Sequence, residues 1–156
     1  MAFIPNFSQP PADTLLQWVR AAVDPHSEIV EIRPLEGGSS STLYSITLRT
    51  GEMLREVVLR QYDNLEWLAE EPDLARHEAA GLLWTEKTGL PTPRLLAVDK
   101  TGRVSGIPAL VMTKLPGAVV LRPPDMAGWL EGLAETLARI HRFEVKYFPW
   151  NYLPLY

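Results

Sequence analysis

The alternation of apolar and polar residues divides the first half of the chain into one helix and a set of strands. In DTLLQWVRAAV, apolar residues recur three or four positions apart from Leu15 to Val23, which predicts an amphipathic helix after a proline-rich start. The segments that follow are rich in β-branched residues or alternate in polarity, with short turns between them: SEIVEIRPL, STLYSITLR and REVVLRQYD. They predict consecutive strands.

The second half predicts a helix, two further strands and a last helix. The first helix runs from about Pro72, which suits a first helical turn, to Gly89, which suits a helix end ahead of Pro91. The segment RLLAVDKTGRVSGIPALVMTKLPG has two apolar stretches around a KTG turn, which predict two strands. The segment PPDMAGWLEGLAETLARIHRF predicts a long helix that opens with two prolines and Asp125.

This order of helices and strands predicts an α+β fold. Turns of hairpin length join antiparallel strands, and only one helix interrupts the strand set, so a parallel doubly wound sheet is disfavoured. We expect a five-stranded antiparallel sheet with one packed helix, plus an N-terminal helix and a C-terminal helix.

Composition and charge exclude several classes of protein. The 156 residues are 46% hydrophobic and 22% charged, as in ordinary globular domains. The 15 Lys and Arg against 19 Asp and Glu give a net charge of −4 without a basic run, so we expect no nucleic-acid partner. No apolar stretch reaches the ~18 residues of a membrane span, and the N-terminus does not resemble a signal peptide. We therefore expect no membrane contact and a cytoplasmic location.

Metal-binding patterns are missing from the sequence. The chain has no cysteine, which excludes disulfides and thiolate metal sites. Its histidines, His26, His77 and His141, are far apart and lack the spacing of metal ligands. We expect no metal site in this chain.

A small-residue loop, LEGGSSSTLY, separates the first two predicted strands. Glycine tolerates positive φ and serine bonds its own backbone, so a plain turn explains the stretch and is the commoner use of such residues. The alternative is a loop whose backbone covers an anion such as phosphate. The loop residues in question are Gly37, Gly38, Ser39, Ser40 and Ser41.

Two charged residues lie where the pattern calls for apolar ones. Arg60 shares a strand face with Val58 and Tyr62, and Glu78 lies on the apolar arc of the first helix of the second half. Each alone could extend its charge to solvent at the rim of an apolar surface. Because a buried charge is costly unless it is paired, we expect Arg60 and Glu78 to pair across the interface between strand and helix.

These motifs together resemble the amino-terminal lobe of the aminoglycoside phosphotransferase family, small-molecule kinases that share the protein-kinase-like fold. The resemblance covers roughly Ile32 to His141, and GLPTPRLLAVD followed by PALVMTKLPG is its most specific part. The other matching motifs are LEGGSSSTLY, VVLRQY, ARHEAAGLLWTEKT and LAETLARIH. The resemblance implies a nucleotide-binding lobe and ATP as the nucleotide.

The resemblance also implies roles for the polar residues. The loop from Gly37 to Ser41 matches the family's nucleotide-covering loop, which favours the phosphate interpretation of this loop. Arg60 stands where protein kinases have a lysine that holds the α- and β-phosphates, and a guanidinium can grip phosphate oxygens in a bidentate manner. Glu78 matches the helix glutamate that orients this cation.

The adenine side of the site is implied by the same resemblance. Met112 resembles the residue at the back of the adenine pocket, although a plain core methionine is an equally good interpretation. Thr113, Lys114 and Leu115 resemble the hinge, whose backbone pairs with the adenine edge. Val58 would line one face of the ring.

The family's catalytic loop, His-Gly-Asp followed by an asparagine, and its metal-binding Asp belong to a second, helical lobe. Nothing after His141 matches them, because RFEVKYFPWNYLPLY contains no Asp. The resemblance therefore implies no catalytic residue and no metal ligand in this chain, with Mg²⁺ expected only with the missing lobe. We expect residues 1–27 to form an N-terminal helical segment, 28–122 the nucleotide-binding lobe, and 123–156 a linker helix and the truncated start of the C-terminal lobe.

Three functions remain open at this point. The first is an ATP-dependent phosphotransferase acting on a small-molecule acceptor, of which this chain is the nucleotide-binding lobe and is inactive alone. The second is a noncatalytic nucleotide-binding or regulatory module. The third is a structural or interaction domain in which the pair of Arg60 and Glu78 is a relic of the fold. The aromatic-rich end YFPWNYLPLY suggests self-association through an exposed lobe interface.

Overall fold

A computed structural model describes residues 10–36, 40–118, 120–144, 148 and 150. The helices and strands follow the predicted order, with one short helix added before Pro72. They are α1 (Asp13–Val23), β1 (Glu28–Leu35), β2 (Thr42–Thr50), β3 (Met53–Gln61), α2 (Leu65–Glu70), α3 (Leu74–Thr85) with a 3₁₀ turn (Glu86–Thr88), β4 (Leu95–Asp99), β5 (Ala109–Thr113) and α4 (Met126–His141). Gly89 ends the α3 segment with a φ of +67°, as a helix-stop glycine does.

The strands form one five-stranded sheet in the order β1-β2-β3-β5-β4, and every neighbouring pair is antiparallel. This confirms the predicted α+β fold. The first three strands are neighbours in chain order, whereas β5 inserts between β3 and β4. β3 therefore lies at the centre, with β2 on one side and β5 on the other.

Each side of the sheet is covered by a helix. On one side, Leu15 and Val19 of α1 are fully buried against apolar residues of the sheet such as Ile46 and Val57. On the other side, Ala75 of α3 packs with Tyr62 and Leu110. The period-2 alternation of β3 sends its successive side chains to opposite sides. We call these the α1 side and the α3 side of the sheet.

The side chain of Asp99 holds the connection between β4 and β5 in place. The buried carboxylate of Asp99 accepts hydrogen bonds from the backbone N–H groups of Thr101 at 3.2 Å and Val104 at 2.7 Å. Burial raises the pKa of Asp99, but these backbone donors outweigh burial and lower it. Gly102 has a φ of +75°, and a Cβ there would lie 2.8 Å from backbone atoms of Gly106. Only glycine fits this position.

The last helix has no buried residue. Its N-cap, Asp125, accepts a hydrogen bond from the N–H of Gly128 at 3.0 Å, which agrees with the predicted start. Its large apolar side chains lie along one face and are 41–53% exposed: Met126, Trp129, Leu130, Leu133, Leu137 and Ile140. Among the described residues, no helix has the length and apolar character needed to cross a membrane.

The connection between β4 and β5 can be tested with a matched pair of glycine substitutions. Gly51 (φ +58°) and Gly102 (φ +75°) share a positive φ, but a Cβ at Gly51 would meet nothing within 4 Å. We expect Gly51→Ala to lower the free energy of unfolding by about 1 kcal/mol and Gly102→Ala by about 2 to 3 kcal/mol. Chemical denaturation measures both. Equal losses would contradict the close approach at Gly102.

Candidate functional site

An ion pair joins the centre of the sheet to α3. The Nη1 atom of Arg60, on β3, lies 2.6 Å from the Oε1 atom of Glu78, on α3. Both side chains are 25% exposed, so neither charge is fully solvated. The pairing predicted from the two periodicities is therefore present, and it satisfies the need of two partly buried charges for a partner.

Further side chains complete a network around this ion pair. The hydroxyl of Tyr62 donates to Oε2 of Glu78 at 2.7 Å, so both oxygens of the carboxylate have a partner. Arg60 donates from Nε to Oγ of Ser41 at 2.8 Å and from Nη2 to Oγ of Ser40 at 3.4 Å. The sequence placed Tyr62 on the correct strand face, but it gave no sign of this hydrogen bond.

The serines connect Arg60 to the small-residue loop. Ser41 is almost fully buried, and Ser40 follows the part of the loop that lies outside the described residues. The predicted loop residues in that part are Gly37, Gly38 and Ser39. The guanidinium predicted to hold phosphate is thus bound to the described end of the loop predicted to cover it.

The start of β2 is tied to the chain that follows β3. Thr42 donates to the Asp63 carboxylate from its backbone N–H at 3.0 Å and from its hydroxyl at 2.5 Å. Sequence reasoning missed Asp63, whose only signal was a turn-forming residue directly after a strand. These bonds fix the C-terminal end of the small-residue loop next to Arg60.

The residues predicted to face adenine lie beside the ion pair. Val58 is buried and lies opposite Met112 in the pairing of β3 with β5. It precedes Arg60 by two residues in β3, so both side chains lie on the same side of the sheet. Thr113 ends β5, and Leu115 lies beyond it with 43% exposure. The structure thus brings Val58, Arg60 and Met112 to one side of the sheet and leaves Leu115 at the surface.

One hinge group is already committed within the fold. The backbone N–H of Thr113 donates to the carbonyl oxygen of Arg94 at 2.9 Å, and the Thr113 hydroxyl accepts from the N–H of Arg94 at 2.9 Å. This backbone donor is therefore not free for an adenine edge. Any pairing of a base with this segment would use its other backbone groups.

A second charged cluster lies farther along the same side of the sheet. Glu56 accepts hydrogen bonds from Lys114 Nζ at 2.6 Å, Arg33 Nη2 at 3.1 Å and Ser45 Oγ at 3.4 Å. It joins β1, β2 and β3 to the segment after β5. The hydrogen bond from Lys114 lowers the pKa of Glu56 despite some desolvation. Sequence reasoning singled out Lys114 but missed Glu56.

A cavity of about 360 Å³ opens beside α3. Glu78 lines it together with other residues of α3 and with the segment before β4, among them Leu74, His77, Leu82, Thr92 and Pro93. None of Val58, Arg60 and Met112 lines this cavity, so it adjoins the ion pair without including the surface predicted to face adenine.

The described residues do not supply a metal site. Within residues 10–36, 40–118, 120–144, 148 and 150, no group of three or more His, Asp or Glu side chains could hold a metal ion. The carboxylates at the centre of the site, Glu78 and Asp63, are occupied by internal donors. This part of the chain therefore does not fit the role of holding Mg²⁺.

Comparisons with known proteins agree with this architecture. A sequence model of the phosphotransferase enzyme family matches residues 31–152. The crystal structure of a protein provisionally named an aminoglycoside phosphotransferase, from Ralstonia eutropha JMP134, superposes with a TM-score of 0.51 at 19% identity. The match covers 73% of this chain and 31% of that one, so this chain spans about a third of that protein's length. No curated protein matches the sequence.

The Glu56 cluster predicts a specific pKa change. In the folded wild-type chain the pKa of Glu56 lies below its ordinary value. The cluster therefore stabilises the fold fully when the pH is above the ordinary glutamate pKa. This stabilisation is lost as the pH falls through the lowered pKa of Glu56. Lys114→Met should raise the pKa of Glu56 towards that of a free glutamate. Lys87→Met, which removes a lysine located near Trp84, should leave it unchanged. Carboxyl NMR titration measures both, and equal shifts would contradict the assignment.

Proposed function

We propose, from the premise that this chain belongs to the phosphotransferase enzyme family, that it binds ATP as the nucleotide-binding part of a small-molecule kinase. The reaction would transfer the γ-phosphate to a hydroxyl group of the acceptor. The observation that carries the proposal is the guanidinium of Arg60, held in place by Glu78 and by the serines of the small-residue loop.

The chemistry of this guanidinium suits a nucleotide phosphate. Arginine has five N–H donors in a planar fork whose geometry matches the oxygens of a phosphate. Glu78 occupies one of its edges, while the contacts to Ser40 and Ser41 are to neutral hydroxyls. A phosphate is a stronger acceptor than a serine hydroxyl, so it can displace these contacts while Glu78 keeps the cation in position.

The neighbouring surface suits a base. Val58 and Met112 present apolar side chains on the same side of the sheet as Arg60, and the end of β5 supplies backbone groups beside them. We therefore assign residues 28–122 to the nucleotide-binding lobe, between the N-terminal segment 1–27 and a linker with the start of the next lobe at 123–156. Val58, Met112, Thr113 and Leu115 are the residues proposed to surround adenine.

Transfer of phosphate needs more than this surface. It requires metal ions on the phosphates and a carboxylate that orients the acceptor hydroxyl. The 156 residues contain no His-Gly-Asp sequence and no Asp after His141. We propose that these groups and the determinants of the acceptor belong to the helical lobe of the intact protein.

Nucleotide titration tests the binding proposal. We expect the chain to bind ADP and ATP weakly and with little dependence on Mg²⁺, because the described residues supply a cation but no metal site. Arg60→Ala should weaken binding at least about tenfold, as loss of a charged hydrogen bond implies. Arg49→Ala, which removes an arginine paired with Glu28 elsewhere on the sheet, should have no effect.

Calorimetry, with thermal unfolding as a check on folding, measures these affinities. Tight ATP binding that requires Mg²⁺ would contradict the placement of the site. An equal loss in Arg60→Ala and Arg49→Ala would contradict the role of Arg60.

The proposal also predicts that the 156-residue chain alone does not transfer phosphate. Adding aminoglycosides, sugars or amino alcohols should produce no acceptor-dependent release of ADP, because nucleotide binding supplies neither the metal ligands nor the orienting carboxylate. A coupled ADP assay measures this. Acceptor-dependent ADP release that disappears in Arg60→Ala would falsify the division between the two lobes.

A further inference from the structure

We propose that Tyr62 is a positioning residue that holds the Glu78 carboxylate in place while Arg60 engages phosphate. The inference rests on the proposed nucleotide function and adds a residue to it. Arg60 lies near the end of β3 and Tyr62 directly follows the strand, and the side chains of both lie on the α3 side of the sheet. Both reach Glu78 of α3, and they do so through different oxygens of the carboxylate.

The two oxygens of the Glu78 carboxylate accept from two different donors, one charged and one neutral. Oε1 accepts from Arg60 at 2.6 Å, and Oε2 accepts from the phenol of Tyr62 at 2.7 Å. Arg60 would also bind a ligand, whereas Tyr62 is 2% exposed and cannot reach one. The bond from Tyr62 therefore persists when Arg60 shifts towards a phosphate.

The surroundings of Tyr62 fix the position of its hydroxyl. Its ring is buried with Ala75 of α3 and Leu110 of β5, and its backbone N–H donates to the carbonyl oxygen of Pro108 at 3.0 Å. The guanidinium carbon of Arg60 lies 5.2 Å from the ring centroid, within the range of a cation–π contact. Tyr62 thus contacts both members of the ion pair from a rigid position.

The protonation state of Tyr62 also suits a residue that holds Glu78 in place. Burial, followed by the negative charge of Glu78, raises the pKa of Tyr62, so the phenol stays protonated and remains a donor at neutral and moderately alkaline pH. Without Tyr62, the partly buried Glu78 carboxylate would lose a donor whenever Arg60 moved away, which would be costly. With Tyr62 in place, Glu78 keeps one hydrogen bond throughout any rearrangement of Arg60.

The substitution Tyr62→Phe isolates this hydrogen bond, because it keeps the ring and its packing. We expect the affinity for ADP to fall about fivefold, since Arg60 is then less firmly oriented, while the affinity for adenosine, which has no phosphate, stays the same. Thr50→Val is the matched control, because it removes another hydroxyl-to-carboxylate hydrogen bond, from Thr50 to Asp24 at 2.6 Å, at the opposite end of β2. It should change neither affinity.

A double-mutant cycle with Glu78→Gln shows whether Tyr62 acts through Glu78. In the Glu78→Gln background, Tyr62→Phe should produce no further loss of ADP affinity. Equal losses for ADP and adenosine, or fully additive losses in the cycle, would overturn the proposal, because both would indicate general destabilisation of the fold.

A measurement without nucleotide keeps the inference independent of the proposed function. In the free chain, Tyr62→Phe should speed hydrogen exchange of the Arg60 Nε–H, observed by NMR, whereas Thr50→Val should not. If the wild-type chain binds no ADP, the nucleotide proposal fails, and the exchange rate still decides whether Tyr62 holds the ion pair. An unchanged rate in Tyr62→Phe would overturn the positioning role.

Discussion

The pairing of two half-buried charges, Arg60 and Glu78, constrains the whole α3 side of the sheet. An unpaired, partly buried charge in this position would destabilise the fold, so α3 has to pack where its glutamate meets the arginine of β3. That requirement fixes the rotation of α3 and its position along the strand. It also brings the small-residue loop to the same point, because the serines at its end complete the hydrogen bonding of Arg60.

The two sides of the sheet therefore differ in the interactions that hold them together. The α1 side is a continuous apolar core that includes Val19, Ile46 and Leu59, and its contribution is mainly hydrophobic. The α3 side combines a smaller apolar cluster with charged networks around Glu56 and Glu78. The apolar core and the charged networks can thus change largely independently, because they depend on opposite faces of the same strands.

The main site could be predicted from sequence because it follows from two local periodicities. The period of 2 in β3 and of 3.6 in α3 predicts that Arg60 and Glu78 lie on facing surfaces. Glu56 could not be found in this way, because its partner Lys114 is 58 positions away and meets it only through the pairing of β3 with β5. The hydrogen bond of Tyr62 depends on side-chain reach, which no pattern of polarity encodes, and α2 buries no residue that would produce a periodic signal.

The insertion of β5 between β3 and β4 has a kinetic consequence. β1, β2 and β3 form a meander of adjacent hairpins, and such local pairings close short loops at low entropic cost. β5 must instead join β3 across the intervening helices and β4, which are long-range contacts that form slowly. We therefore expect the meander to form early in folding. The surface that joins Val58 to Met112 and Glu56 to Lys114 would then be among the last parts of the molecule to assemble.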